Sequence, residues 1–414
     1  MLDSFASVAA ELGCVPTFAI TAVILKRHPQ VIKEMSRAGI EFAIHGHIHT
    51  DYGVLPLDEQ VNHFGRAIEV FDDCGIPFTG FRAPFLRTNN HTYRALGQLG
   101  FTYDSSCAVH WDVLGHYQRR SARWGDYQRL LDFYQAKKAE DCPVLPWFRD
   151  GFWEIPVSIP DDEAMVERLG ITDSGEIGAI WSEVLQKTYD RGELFTLQLH
   201  PERISLCKGA LSDTVRRARQ LRPAVWVATL REITQWWQER NGFIFKVGTL
   251  SPGKYEVNAV CSGRATVLVK GGKVDVPAAE FFGGYQSVTS RNFIIESKTS
   301  PVVGVSPDCS RLAVDFLRDE GYAVERSDQP GGYGVYLSGL AQFGDGDKRL
   351  LLEKLENSGA PLVRFWRWPN QAKSALSITG DIDSLTLGDF ALRILENWLE
   401  GRHAIVEQPA VQSS

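Results

Sequence analysis

The sequence predicts an α/β fold in which residues 1–241 form a barrel of about seven parallel strands and the rest adds a β-rich and α/β unit. Two observations carry that prediction. Short apolar runs alternate with amphipathic helical stretches up to residue 241, the rhythm of parallel βα units. The texture then changes after Asn241-Gly242 to short, Gly-punctuated, alternating segments, the pattern of antiparallel hairpins. At 414 residues, with 44% hydrophobic and 23% charged side chains, the chain has the length and composition of a packed globular protein of more than one domain.

In order, the expected barrel strands are Thr17–Thr21, Glu41–Gly46, Gly80–Pro84, Thr102–Ser105, Trp153–Ser158, Leu194–His200 and Ala224–Thr229. Between them, apolar residues recur at three- and four-residue spacing in Leu57–Cys74, Asn90–Leu99, Ile177–Asp190 and Leu230–Arg240, which predicts helices with one face on a core. Residues 242–368 form an accessory unit. Hairpins are expected over Phe243–Lys273, then strands at Val302–Val305, Tyr322–Ser327 and Leu362–Trp366 with helices Ser310–Glu320 and Lys348–Ser358. Gly331-Gly-Tyr-Gly-Val reads as a turn cluster. Residues 369–414 hold a last strand, Ala375–Thr379, an acidic turn at Gly380-Asp381-Ile382-Asp383, a helix over Thr386–Glu400 and a frayed tail from Val406.

The charge balance of 44 basic against 51 acidic residues, net −7, lacks the electrostatic footprint of a nucleic-acid binder and disfavours anionic membranes. Seven scattered cysteines without a CxxC argue against a disulfide framework or a thiolate zinc site. The segment Met1–Leu12 has no basic lead and carries acids within its apolar stretch, so it reads as an amphipathic helix and not a secretory signal. No run of about 18 apolar residues occurs, so no integral membrane segment is expected. The expectation is a cytoplasmic protein, with a homo-oligomer left open.

Chemistry-bearing residues gather at strand ends, where barrel enzymes build their sites. His45-Gly-His47-Ile-His49 holds three of the ten histidines, and the i, i+4 spacing of His45 and His49 brings two imidazoles to one side of a helical turn, where both can bind one divalent cation. Arg82, in Gly80-Phe-Arg82-Ala-Pro84-Phe85, can hold a carboxylate. His200 closes the apolar run Leu194–Leu199 and can serve as general acid or base. In extended chain, Asp381 and Asp383 point to the same side and can converge on one point. The competing reading is that they cap the following helix.

Taken together, these motifs resemble the polysaccharide deacetylase family, also called the NodB-homology or carbohydrate esterase 4 family. His45-Gly-His-Ile-His49 resembles its HxxxH metal motif and Gly80-Phe-Arg82-Ala-Pro84-Phe85 its R-x-P motif. Leu96–Ser106 resembles the helix and strand that follow, Glu154-Ile-Pro156 its EIP-type strand, Leu197-Gln-Leu-His200-Pro201 its L-x-H motif, and Trp226–Ile233 its closing strand and helix. The resemblance covers roughly residues 1–240 and implies a NodB-type distorted (β/α) barrel. One departure stands out. The family opens with a strand ending in T-F-D-D-G, whose acids serve as base and metal ligand, whereas Met1–Phe18 resembles the first helix and second strand. Either the opening strand is circularly permuted to Ser374–Asp383, or it is missing; the lead-in Trp368–Thr379 resembles the approach to that motif and favours permutation.

The resemblance implies a metal-dependent hydrolase that removes an N-acetyl group from an amino sugar or glycoconjugate. His45, His49 and Asp383 would hold Zn²⁺, or Co²⁺ or Fe²⁺; Asp381, held by Arg82, would act as base, and His200 would protonate the leaving amine. A backbone N–H near Arg82–Pro84 would hold the oxyanion, and Tyr103, Trp111 and Trp153 are candidates to line a sugar site. Two alternatives stand beside this: a degenerate, non-catalytic carbohydrate- or partner-binding module, and an amidohydrolase acting on a non-sugar or N-formyl substrate.

Overall fold

The structure, a computed structural model, describes residues 1–118 and 121–399. Its centre is a curled nine-stranded sheet. All seven expected barrel strands contribute, shortened at their ends: Thr17–Ile20, Glu41–Ile44, Gly80–Phe81, Tyr103–Asp104, Phe152–Glu154, Leu194–Gln198 and Val225–Val227. Two more join them, the parallel strand Ser374–Ile382 and the antiparallel edge Trp147–Arg149. The expected strand Trp153–Ser158 is split. Its first part joins the main sheet, and Val157–Ile159 pairs instead with Ala108–His110 in a small parallel sheet. Pro156 lies at the break, and proline cannot donate to a ladder.

The strand Ser374–Ile382 lies inside the sheet, buried along its whole length. On one side it pairs with Leu194–Gln198, with Leu194 opposite Ala375 and Gln198 opposite Thr379. On the other side, Val225–Val227 pairs with its first three residues and Thr17–Ile20 with its last four. It therefore runs three residues beyond the expected Thr379 end to Ile382. Asp381 is a strand residue opposite Ala19, not part of a turn. Gly380 is required in this position, because a Cβ there would meet the Leu199 carbonyl oxygen at 2.7 Å.

The helices Leu57–Cys74 and Leu230–Arg240 form over the expected residues. The second starts with a capping box in which the Thr229 side chain accepts from the Glu232 N–H and the Glu232 side chain from that of Thr229. The region 244–365 contains two antiparallel sheets and one parallel three-stranded sheet. The expected turn is confined to Gly331-Gly332, and Tyr333–Leu337 is a strand of that parallel sheet, paired with Ser300–Val305. The parallel unit also carries helices Arg311–Asp319 and Asp345–Glu356.

A second hydrophobic core joins this region to the barrel through Tyr103, Leu194 and Ala375, at the beginnings of their strands, through Ala43 and Ala228, and through Trp236 and Trp237 of Leu230–Arg240. Polar ties reinforce the junction. Arg349 donates to both carboxylate oxygens of Glu193 (2.8 and 3.1 Å), and the Trp368 indole donates to the Gly192 carbonyl (2.9 Å). These contacts leave the opposite end of the sheet, where the strands finish, free to carry a site. The expected tail from Val406 lies outside the described residues.

Candidate active site

Four loops meet where the parallel strands end. His45 follows Glu41–Ile44, and its backbone N–H donates to the Ile20 carbonyl at 2.9 Å. The segment from His45 to His49 is a bent loop and not the helical turn expected from the spacing. Gly46 has φ +81°, and a Cβ there would meet the Tyr52 hydroxyl at 2.5 Å, so the chain turns out of helical geometry at once. The two imidazoles still converge, with ring centroids 5.3 Å apart, while His47 turns away to pack against His63.

Asp383 completes the cluster from the other end of the chain. Its carboxylate lies 3.4 Å from His45 Nε2 and 3.1 Å from His49 Nε2, and the three residues place ligand atoms within 4.8 Å of one another. His45 Nδ1 is 2.8 Å from the Arg82 carbonyl. That contact sets the tautomer and aims Nε2 at the cluster, as the carbonyls and carboxylates that accept from the other ring nitrogen of metal-bound histidines do. Burial opposes ionisation of Asp383, but the adjacent imidazoles outweigh it and hold its carboxyl well below the usual range. Burial is also the main influence on His49, whose pKa is lowered despite Asp383; neutral imidazole is the form that binds metals.

Asp381 sits next to this cluster, 4.0 Å from His45 Nε2. Arg82 Nη1 donates to one carboxylate oxygen at 3.0 Å and Gln198 Nε2 to the other at 2.9 Å. Arg82, 1% exposed, also donates to the Thr379 hydroxyl, the Ser105 carbonyl and the Ser105 hydroxyl. Neither acid caps the helix that follows. The Leu385 and Thr386 N–H groups are taken by the Asp389 side chain.

His200 stands on the same rim. Its Nδ1 is 2.9 Å from Asp162 Oδ1, and its backbone N–H donates to Asp162 Oδ2 at 3.0 Å. Burial works against protonation of His200, but Asp162 reverses the balance and raises its pKa well above the ordinary imidazole value. Arg203 binds the same carboxylate at 3.0 Å. Sequence reasoning left Asp162 and Gln198 out of the site. The signal was present for Asp162, since Asp161-Asp162 follows the strand end Val157–Ile159 as the other site residues follow theirs.

The expected aromatic lining is not formed by the residues named for it. Tyr103 is fully buried and donates to Glu41, Trp111 donates to the Ser158 hydroxyl, and Trp153 packs on Trp237 in the second core. Large aromatic rings bury more area in the core than a rim would allow. In the Arg82 turn, the Ala83 N–H donates to Ser106 Oγ at 2.8 Å and Pro84 has none. The next N–H belongs to Phe85, held at φ 59°, a conformation non-glycine residues adopt at a cost.

Part of the chain is similar to known proteins. Residues 3–103 match the family model for polysaccharide deacetylase. The chain is 24% identical over 226 residues to a peptidoglycan deacetylase of Helicobacter pylori, covering 51% of this chain and 74% of that protein. It is 30% identical over 95 residues to the peptidoglycan deacetylase-like protein FGM2 of Gibberella zeae, covering 23% of this chain and 28% of that one. A solved structure from Mycobacterium smegmatis, ascribed to a polysaccharide deacetylase, covers 56% of this chain and 75% of its own at 24% identity, with a TM-score of 0.43. The matched residues include the strands that lead to His45 and Arg82, and over that part the chain is similar to the polysaccharide deacetylase, or NodB-homology, family.

Proposed function

We propose that this chain is a metal-dependent N-deacetylase that hydrolyses the acetamide of an amino sugar or glycoconjugate. One observation carries the proposal: His45, His49 and Asp383 offer two nitrogens and a carboxylate within 4.8 Å, beside an acid held by a buried arginine. That donor set suits Zn²⁺, and also Co²⁺ or Fe²⁺. A divalent cation held there would polarise the amide carbonyl and lower the pKa of a water molecule.

The remaining work falls to the protein's own groups. Asp381 takes the proton of the attacking water, and Arg82 and Gln198 hold its carboxylate in one orientation. His200 gives a proton from Nε2 to the departing amine, since Nδ1 is committed to Asp162. The Phe85 N–H is the candidate oxyanion donor in the Arg82 turn. A complete ligand set with a positioned base and acid favours an enzyme over a decayed binding module, in which such residues have no reason to stay together.

The test is acetate release from N-acetylglucosamine oligomers and peptidoglycan fragments by protein loaded with Zn²⁺ or Co²⁺. Activity is expected with at least one of them and its loss in His45→Ala. A protein that binds metal and cleaves none of them, but releases formate or ammonia from N-formyl or ureide substrates, would replace the sugar reading with the amidohydrolase one.

A further inference from the structure

The helix Leu387–Leu399 is mounted with its polar side inward. Asp389 and Asn397 are its buried residues. Asp389 meets His28 Nε2 at 2.9 Å and Arg27 Nη1 at 3.4 Å, and Glu396 pairs with Arg27 as well. Arg393 reaches Asp383 at 3.1 Å, and Asn397 Nδ2 donates to the His49 carbonyl at 2.9 Å. These ties fix the rotation of the helix about its axis. The opposite face is therefore held outward, with Leu387 91%, Phe390 52%, Ile394 56%, Leu395 46%, Trp398 68% and Leu399 67% exposed.

Those exposures amount to roughly 800 Å² of surface from large apolar side chains, above the ~300–600 Å² of the largest patch on a typical monomer. It equals the ~800 Å² that each partner contributes to a standard stable interface. Positions Leu387, Ala391, Ile394 and Trp398 follow the 4-3-4 spacing of a helix-pairing seam. A lipid surface fits less well. Helices that lie on membranes carry lysines and arginines on their polar face, whereas the one cation of this helix, Arg393, is spent on Asp383, and the protein is acidic overall.

We propose that this face docks against the same helix of a second copy of the chain, closing a two-fold dimer. A self-complementary apolar stripe closes on itself under two-fold symmetry. Because the inner side of the helix holds Asp383 and the His49 carbonyl, subunit pairing braces the rim that carries the candidate ligands.

The experiment is sedimentation velocity on the full-length chain from about 1 to 50 µM. A dimer is expected for the wild type. Ile394→Glu combined with Trp398→Glu should sediment as a monomer with an unchanged circular dichroism spectrum, and Leu250→Glu, at an exposed position on a distant strand, should remain dimeric. If the charged variant fails to fold, Ile394→Cys provides the second arm. Residue 394 lies near the middle of the helix, so with the two helices crossing at their centres mild oxidation should link two chains there, as mapped by mass spectrometry. A monomeric wild type, a dimer that survives both glutamates, or no linkage through residue 394 would overturn the proposal. So would a wild type that is monomeric in solution and floats with phosphatidylcholine–phosphatidylglycerol vesicles.

Discussion

Arg82 and Asp381 are 299 positions apart in the chain and form a buried ion pair with Nη1 3.0 Å from Oδ1. The guanidinium has four acceptors around it, one of them the hydroxyl of Thr379 on the same strand as Asp381. It therefore docks the C-terminal strand against the R-x-P turn as well as orienting the acid. Lysine lacks the planar fork of donors and cannot reproduce this arrangement. Arg82→Lys is expected to lower kcat by about 10²-fold or more while bound metal stays stoichiometric. Steady-state kinetics with elemental analysis on the same preparation checks both.

Asp162 fixes the ring of His200 and raises its pKa. Asp162→Asn removes the charge and leaves the shape. The proton is then held less tightly, so the alkaline limb of the kcat profile should move to lower pH, with a loss of about 10²–10⁴-fold. A profile that keeps its alkaline limb would remove His200 from the role of acid.

Metal dependence has a binding readout separate from turnover. His49→Ala and Asp383→Ala should each reduce bound metal below one per chain and remove the thermal stabilisation that Zn²⁺ gives the wild type. That stabilisation would be about 2.7 kcal/mol at a hundredfold excess over Kd. Titration with Zn²⁺ monitored by scanning calorimetry measures it.

In the accessory region, Glu320 is fully buried between Arg364 Nη2 at 3.0 Å and Arg367 Nη2 at 2.6 Å. Burial opposes its charge, but Arg367 and Arg364 outweigh that and lower its pKa below the usual glutamate value. A carboxyl with a depressed folded-state pKa contributes stability above its unfolded pKa, ~4.3, and that contribution is lost as pH falls through the lower folded value. Melting temperature should therefore drop steeply below about pH 4. Glu320→Gln leaves two buried cations under-compensated, which costs about 3–5 kcal/mol at neutral pH, and should flatten the acid limb of Tm against pH.

The strand Ser374–Ile382 pairs with three neighbours, so the sheet does not close without it. A chain ending at residue 368 is expected to be insoluble or to lack cooperative unfolding. A permutant that moves residues 369–399 in front of Met1 should fold and keep the His45–His49–Asp383 cluster. Circular dichroism and metal stoichiometry distinguish the two outcomes.

The sequence by itself determined the strand–helix alternation, because the periodicity of apolar residues is local and survives without knowledge of partners. Leu57–Cys74 and Leu230–Arg240 formed over the expected residues for that reason. It also marked His45, Arg82 and His200, since a polar residue immediately after an apolar run stands at a strand end. What tertiary structure decided was which strand ends face one another. Motif resemblance favoured Ser374–Asp383 as the permuted opening strand, but its insertion between Leu194–Gln198 and Thr17–Ile20 depends on long-range hydrogen bonding and packing, which leave no periodic trace in the sequence. The same holds for Asp162 behind His200, for the burial of Tyr103, Trp111 and Trp153, and for the outward apolar face of Leu387–Leu399. Each depends on what lies across a gap in space, and the free energy that settles it is burial shared between residues far apart in the chain.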